Sequence, residues 1–72
     1  MSATIDERGL SCPQPVLDTL AKLNEMKSGT LTVLVDTEAS KENVSRAAQT
    51  QGWRVDNLVD EGGEYTLTLV KD

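Results

Sequence analysis

Residues 31 to 36 read Leu-Thr-Val-Leu-Val-Asp, and this stretch decides the fold. Apolar side chains at positions 31, 33 and 35 alternate with Thr32, Leu34 and Asp36, which indicates a β-strand. A strand covered on both faces of its sheet reads as a continuous apolar run, whereas an alternating strand keeps one face in contact with water. We therefore predict a sheet whose helices all pack on one face.

Apolar residues recur at helical spacing on both sides of this strand. Residues 13–27 carry one apolar stripe, followed by Gly29 as a stop signal, and residues 39–51 carry another, followed by Gly52. The first stripe contains Val16, Leu17, Leu20, Ala21, Leu23 and Met26. The second contains Val44, Ala47, Ala48 and Gln51. The spacing predicts two amphipathic helices.

Three further strands complete the pattern. We predict them at residues 3–8, 53–59 and 65–70, with the turn Asp60-Glu61-Gly62-Gly63 joining the last two into a hairpin. The order of elements is then β-α-β-α-β-β. It predicts an α/β fold, a two-layer sandwich in which a four-stranded mixed sheet carries both helices on one face. A chain of 72 residues is expected to form one domain, residues 1–72.

Charge and composition exclude several classes of function. Twelve acidic and seven basic residues give a net charge of −5, which repels a phosphate backbone, so we expect no direct binding of nucleic acid. The chain has no histidine and one cysteine, so we expect no metal site, no cofactor and no internal disulfide. The opening residues do not form a signal-peptide pattern and no apolar run has membrane-spanning length. We expect a cytoplasmic protein without membrane contact.

The single cysteine, Cys12, is the candidate reactive group. It directly precedes Pro13 at the predicted helix start, where proline is favoured because its missing N–H has no partner within the helix; Pro15 lies in the same turn. The positive end of a helix dipole lowers the pKa of a nearby thiol, and Arg8 would add to this if the turn at Gly9 folds it back. Free cysteines are most often small buried apolar residues. The polar surroundings of Cys12 favour a reactive thiol instead.

The chemistry open to this thiol is narrow. Without histidine, Cys–His acyl transfer lacks its base, and without a second cysteine a thioredoxin-type cycle lacks its resolving thiol. One exposed thiolate can still accept a sulfur atom as a persulfide and pass it to the thiolate of another protein. A redox sensor that is oxidised at the thiol is a further hypothesis.

The motif around this cysteine resembles the TusA-like (SirA-like) sulfur-carrier family. The matching pattern is Asp6-x-Arg8-Gly9-Leu10-x-Cys12-Pro13-x-Pro15-Val16, followed by Lys22, Gly29 and a strand that ends at Asp36. The resemblance implies that Cys12 is the catalytic, sulfur-bearing nucleophile, that Pro13 and Pro15 shape its helix start, and that Gly9 and Leu10 position the loop. For Asp6, Arg8 and Lys22 it implies membership of the motif and no chemical role.

Within that family, residues 35–46 and the following Gln51-Gly52 are most similar to the N-terminal domain of YedF-type proteins, which are associated with selenium metabolism. Sulfur carriers proper usually have Asp-Pro after the second strand, where this chain has Thr37 and Glu38. The resemblance implies relay of sulfur or selenium between a cysteine desulfurase-like donor and a downstream thiol acceptor. We expect the protein to be a monomer. The alternative is a non-catalytic regulatory or docking domain excised from a two-domain YedF-type protein.

Other conspicuous residues have ordinary explanations. Lys22, Lys41 and Arg46 fit a docking patch, but charged helical residues usually form a solvated surface. Trp53 follows Gly52 at a strand start, where we expect it in the core rather than as a partner anchor.

Overall fold

The structure is a computed structural model that describes residues 2–11 and 13–72. Its elements are, in chain order, β1 (Ser2–Asp6), α1 (Gln14–Met26), β2 (Gly29–Val35), α2 (Glu38–Thr50), β3 (Arg54–Glu61) and β4 (Glu64–Lys71). This is the predicted order β-α-β-α-β-β, and each boundary lies within two residues of its prediction.

The four strands form one mixed sheet in the order β1-β2-β4-β3. β1 runs parallel to β2, while β4 is antiparallel to both β2 and β3. The β3–β4 turn is tighter than predicted, because Asp60 and Glu61 belong to β3 and only Gly62 and Gly63 connect the strands. Both glycines have positive φ, 61° and 89°, which a two-residue hairpin turn of this kind requires.

The hydrophobic core lies on one face of the sheet, as the alternation predicts. Leu31, Val33 and Val35 of β2 are fully buried, whereas Thr32 and Leu34 on the other face are partly exposed. The remaining core residues are Leu23 and Met26 of α1, Val44 and Ala48 of α2, Trp53, and Leu67 and Leu69 of β4. Both helices therefore cover the same face, and Trp53 is a core residue as expected.

The rotation of α1 differs from the prediction. Leu17, assigned to the apolar stripe, is 53% exposed, and Ala21 is exposed as well. The buried stripe runs instead through Pro15, Thr19, Leu23 and Met26, at spacings of four, four and three residues. Because Thr19 is small and fully buried at the centre of this stripe, the helix can lie close against its neighbours. Leu17 is consequently turned toward solvent.

In α2 the buried residues are Ser40, Val44 and Ala48, so the prediction of Gln51 on this face is wrong. Gln51 is the C-cap residue, where the chain has already left the helix, and its side chain is exposed. Gly52 follows with φ +83°, the left-handed conformation in which helices commonly end.

The N-terminus of α2 is capped by a side chain. The Thr37 hydroxyl accepts a hydrogen bond from the Ser40 N–H at 3.1 Å, and Glu38 occupies the first turn. Threonine is a favoured N-cap residue, and an acidic side chain in the first turn interacts well with the helix dipole. This capping fixes the chain direction directly after the end of β2.

Candidate functional site

The structure describes the two segments that flank the predicted nucleophile. Cys12 itself lies outside the described residues. Before it comes the loop of residues 7–11, here called the motif loop, which leaves the end of β1. After it comes Pro13 and the first turn of α1. The geometry of the candidate site is therefore that of these two segments and their anchors.

The motif loop is anchored to the end of β2. The Glu7 N–H donates to the carbonyl of Leu34 at 2.8 Å, and the Gly9 N–H donates to Oδ2 of Asp36 at the same distance. Gly9 has φ +82°, and a Cβ built at this position meets no atom within 4 Å. The backbone conformation, rather than crowding, requires glycine here. These contacts hold the motif loop against β2, and a role of Gly9 in positioning Cys12 stays a prediction.

Leu10 contributes to the loop through its backbone. Its N–H donates to the Glu7 carbonyl at 3.3 Å, which closes a short turn, while its side chain is 39% exposed. Leu17, on α1, is exposed still further. Two large apolar side chains near Cys12 in the sequence thus lie at the surface, where they can contact another protein.

The helix start is shifted by one residue from the prediction. Pro13 is the N-cap, with φ −97° and ψ 13°, rather than the first helical residue, and Pro15 is the second residue of α1. The Gln14 N–H donates to the Ser11 carbonyl at 2.9 Å, and the Leu17 N–H donates to the Pro13 carbonyl at 3.1 Å. Pro15 is buried, which fixes the first turn against the core.

The N-terminus of α1 has neither a side-chain cap nor an acidic residue in its first turn. Pro13 supplies no side-chain cap, and among the described residues no acidic side chain lies in the first turn. The partial positive charge of the dipole is therefore available to a nearby anion. In α2, by contrast, Thr37 and Glu38 occupy the equivalent positions.

Arg8 is bound to two carboxylates, those of Asp6 and Glu64. Its Nη2 and Nε donate to the two carboxylate oxygens of Asp6 at 2.7 and 2.9 Å, and its Nη1 donates to Oε1 of Glu64 at 3.3 Å. The bonds from Arg8 lower the pKa of Asp6 to about 2. Arg8 thus bridges the end of β1 and the start of β4 across β2.

Glu7 is a site residue that the sequence analysis missed. Only 7% of its surface is exposed, and burial, followed by a hydrogen bond with Asp18 and the charges of Asp18 and Asp6, raises its pKa to about 7. Its Oε1 atom has no hydrogen-bond partner within residues 2–11 and 13–72. The signal was present, because position 7 continues the period-two series of the inward-facing Ala3 and Ile5.

Asp18, whose charge contributes to the raised pKa of Glu7, is hydrogen-bonded to a residue of the motif. Its Oδ1 atom accepts a 2.6 Å hydrogen bond from Nε2 of Gln14, one helical turn earlier. Gln14 is the residue between the two prolines of Cys-Pro-Gln-Pro.

The other charged residues form ordinary surface contacts. Lys22 pairs with Glu25 at 3.0 Å on the same helix, and the Lys41 ammonium lies 5.1 Å from the centre of the Tyr65 ring. Across the described part of the chain, no three residues of metal-binding type come together and no cavity is enclosed. None of its helices is both long and apolar enough to cross a membrane.

Comparisons with known proteins agree with this geometry. A family model described as "Sulfurtransferase TusA" matches residues 3–71. A protein of Archaeoglobus fulgidus named "Putative sulfur carrier protein" is 35% identical over 68 residues, which cover 93% of this chain and 77% of the relative. The crystal structure of a SirA-like protein from Desulfitobacterium hafniense superposes with a TM-score of 0.85 at 33% identity, covering 97% of this chain and 96% of that one.

Proposed function

Because this chain belongs to the TusA sulfurtransferase family, we propose that it is a sulfur carrier that relays sulfur as a persulfide on Cys12 between protein partners. The observation that carries the proposal is the position of Cys12 in the sequence, directly before the uncapped N-terminus of α1. Such an environment favours the thiolate, which is the nucleophilic form of cysteine. Two prolines, of which Pro15 is buried, limit the motion of the segment that follows it.

Sulfur loading needs no cofactor in this scheme. The Cys12 thiolate attacks the outer sulfur of a donor cysteine persulfide, the donor S–S bond breaks, and its electron pair leaves with the donor thiolate. The new S–S bond gives a Cys12 persulfide that keeps the proton of the donor persulfide. In the second step an acceptor thiolate attacks that outer sulfur, and the Cys12 thiolate leaves. Each step exchanges one S–S bond for another, so no external oxidant or reductant enters.

The surface around the motif supports transfer within a protein complex. The described residues enclose no cavity, and the two segments that flank Cys12 in the sequence carry exposed side chains. Leu10 and Leu17 provide exposed apolar area on the two segments that flank Cys12. We propose that these leucines contact the partner proteins, because exposed apolar side chains gain free energy when a partner removes them from water.

The difference from the usual Asp-Pro of sulfur carriers is a small one in physical terms. Thr37 is the N-cap of α2 and Glu38 is its first residue. Aspartate is an equally good N-cap, and proline is favoured at the first helical position. Thr-Glu therefore preserves the capping that Asp-Pro provides, and this departure from the pattern is compatible with carriage of sulfur.

The proposal is tested by intact-protein mass spectrometry after incubation with a cysteine desulfurase and free cysteine, with Cys12→Ser as the control. We expect the mass of one sulfur atom to be gained by the wild type, lost on reduction and absent from the control. Supplying selenocysteine with a suitable lyase tests for selenium in the same way. If the wild type gains no sulfur while a known carrier is loaded in parallel, the docking-domain hypothesis replaces this one.

A further inference from the structure

The two edge strands of the sheet differ in their protection against pairing with another chain. In the described order β1-β2-β4-β3, each edge strand has one side without a neighbouring strand, where backbone N–H and C=O groups stay open. Charged side chains and β-bulges commonly protect such an edge. β3 has both, because its pairing with β4 is irregular between Val55 and Asn57. Its charged residues are Arg54, Asp56, Asp60 and Glu61.

β1 lacks both protections along most of its length. Its first four residues, Ser-Ala-Thr-Ile, include no charge and no proline, and it pairs with β2 in an unbroken parallel register from Ser2 to Asp6. Asp6 is the charged residue of β1, and Arg8 compensates it through a 2.7 Å ion pair. β1 is therefore a regular edge with little net charge, of the kind that accepts a further strand.

The open side of β1 presents the backbone groups of alternate residues. The N–H of Glu7, which directly follows β1, donates to the carbonyl of Leu34 on β2. Successive residues along a strand direct their N–H and C=O groups to opposite sides, so the other odd-numbered residues of β1 face β2 as well. The N–H and C=O groups of Ser2, Thr4 and Asp6 consequently point to the open side.

We propose that two copies of this chain associate by antiparallel pairing of β1 with β1, which joins their four-stranded sheets into one. In the register centred on Thr4, this residue lies opposite Thr4 of the second copy, and Ser2 lies opposite Asp6. Residues whose backbone groups point outward then face each other, as the hydrogen-bonded pairs of an antiparallel ladder require. Cross-strand Thr–Thr pairs are themselves stabilising. The pairing is independent of the proposed function of Cys12.

The same register extends both faces of the sheet. Ala3 and Ile5 are partly buried and pack against the hydrophobic core. Ala3 lies opposite Ile5 of the second copy, so each copy covers apolar surface that the other leaves at its edge. On the uncovered face, Thr4 of each copy continues a row of threonines that contains Thr32 and Thr68. Each face of the joined sheet therefore keeps the character that it has in one copy.

A second copy is the occupant that the two edges favour. Two-fold pairing of β1 with β1 uses the unprotected edge of both copies, so the assembly closes as a dimer. Pairing of β1 with β3 would leave further free edges and continue as an open fibre. The charges and the irregular register of β3 oppose that arrangement.

Sedimentation equilibrium from about 10 μM to about 1 mM protein tests the pairing, because two five-residue strands form a small interface of the weak class. A reductant prevents disulfides between the single cysteines. We expect the monomer at the low end and a growing fraction of dimer at the high end. Each copy has a net charge of −5, so added salt should raise that fraction by screening the repulsion between copies.

Two variants separate edge pairing from association through another surface. Thr4→Pro removes an outward N–H and leaves the bonds to β2 in place, since proline is tolerated where the N–H of an edge strand faces solvent. It should weaken the dimer by about tenfold or more, because the two-fold contact loses two hydrogen bonds. Thr68→Lys is the matched control, since it places a charge on the uncovered face two strands away from β1. This variant should keep the dimer.

Amide hydrogen exchange of the wild type gives a second readout, which decides the question if Thr4→Pro does not fold. The Thr4 N–H should exchange several-fold more slowly at the highest protein concentration than at the lowest. A wild type that stays monomeric, or a Thr4 exchange rate that is independent of concentration, would overturn the inference. A dimer that survives Thr4→Pro, or that is lost with Thr68→Lys, would overturn it as well.

Discussion

The Gly9 N–H donates a 2.8 Å hydrogen bond to the Asp36 carboxylate, and this bond joins the loop before Cys12 to the end of β2. The two residues are 27 positions apart in the sequence. Gly9 can present its N–H in this way because its φ of +82° is accessible to glycine at little cost. Much of the loop geometry therefore depends on one backbone conformation and one acidic side chain.

Asp36→Ala should destabilise the protein by about 1 kcal/mol, since the Gly9 N–H loses a charged acceptor at a partly exposed site. Asp36→Asn keeps an acceptor oxygen and should cost less than Asp36→Ala. Urea unfolding of both variants measures the difference. Equal stability of Asp36→Ala and wild type would show that the bond contributes nothing.

Gly9→Ala should cost about 1 kcal/mol, because an L-residue other than glycine is strained at this positive φ. The cost is conformational, since a Cβ at this position meets no neighbour. Gly9→Asn should be milder, because asparagine tolerates the left-handed region better than alanine. Thermal unfolding of the two variants checks the order, and an alanine variant as stable as the asparagine one contradicts it.

The pH dependence of stability should carry a contribution from Glu7. Its pKa is about 7 in the folded protein and close to its ordinary value of 4.5 in the unfolded chain. Between these values the folded state binds more protons than the unfolded state, so stability falls as pH rises from about 4.5 to 7 and then levels off. Urea unfolding at a series of pH values measures this fall.

Glu7→Gln isolates that contribution. The free energy of unfolding of the variant should be close to that of the wild type near pH 5. At pH 8 it should exceed that of the wild type by an amount on the order of 2 kcal/mol, because glutamine at position 7 carries no charge that folding would have to bury. Glu25→Gln, which alters a solvent-exposed carboxyl, should show no such divergence. A difference between Glu7→Gln and wild type that is constant with pH would contradict the raised pKa.

The exposed leucines beside the motif should affect transfer and leave stability nearly unchanged. Leu10→Ser and Leu17→Ser remove surface apolar area, so the free energy of unfolding should change by no more than about 0.5 kcal/mol. Sulfur loading by a desulfurase should slow several-fold, while alkylation by a small reagent should keep its rate.

Leu58→Ser is the matched control for these leucines. Leu58 is 43% exposed, but it lies on β3, at the opposite edge of the sheet from β1. Its substitution should leave loading unchanged. Equal rates of loading for all three serine variants and the wild type would remove Leu10 and Leu17 from the partner surface.

The fold could be predicted from the sequence because burial imposes different periods on strands and helices. The alternation at Leu31, Val33 and Val35 is sufficient to indicate a sheet covered on one face. The rotation of α1 could not be predicted, because two overlapping stripes fit its sequence. In the folded protein the stripe through Pro15 and Thr19 is buried, and Leu17 is exposed.

The candidate site was predictable only in part. Cys12 and its prolines are marked by a local motif, whereas the bond between Gly9 and Asp36 joins residues from different elements. Glu7 was missed because acidic residues are rarely buried, so its place in the inward-facing series of β1 carried little weight. The charge of Asp18, which also raises the pKa of Glu7, lies on another element, and its position relative to β1 follows from tertiary packing.

The most direct test of the account is the mass of the peptide containing Cys12 after the protein is incubated with a cysteine desulfurase and sulfur-labelled cysteine. We predict that this peptide gains one labelled sulfur atom, and that an added acceptor thiol removes the label as the acceptor gains it. An unlabelled Cys12 peptide, in a mixture where a known carrier becomes labelled, would contradict the central claim that Cys12 carries sulfur.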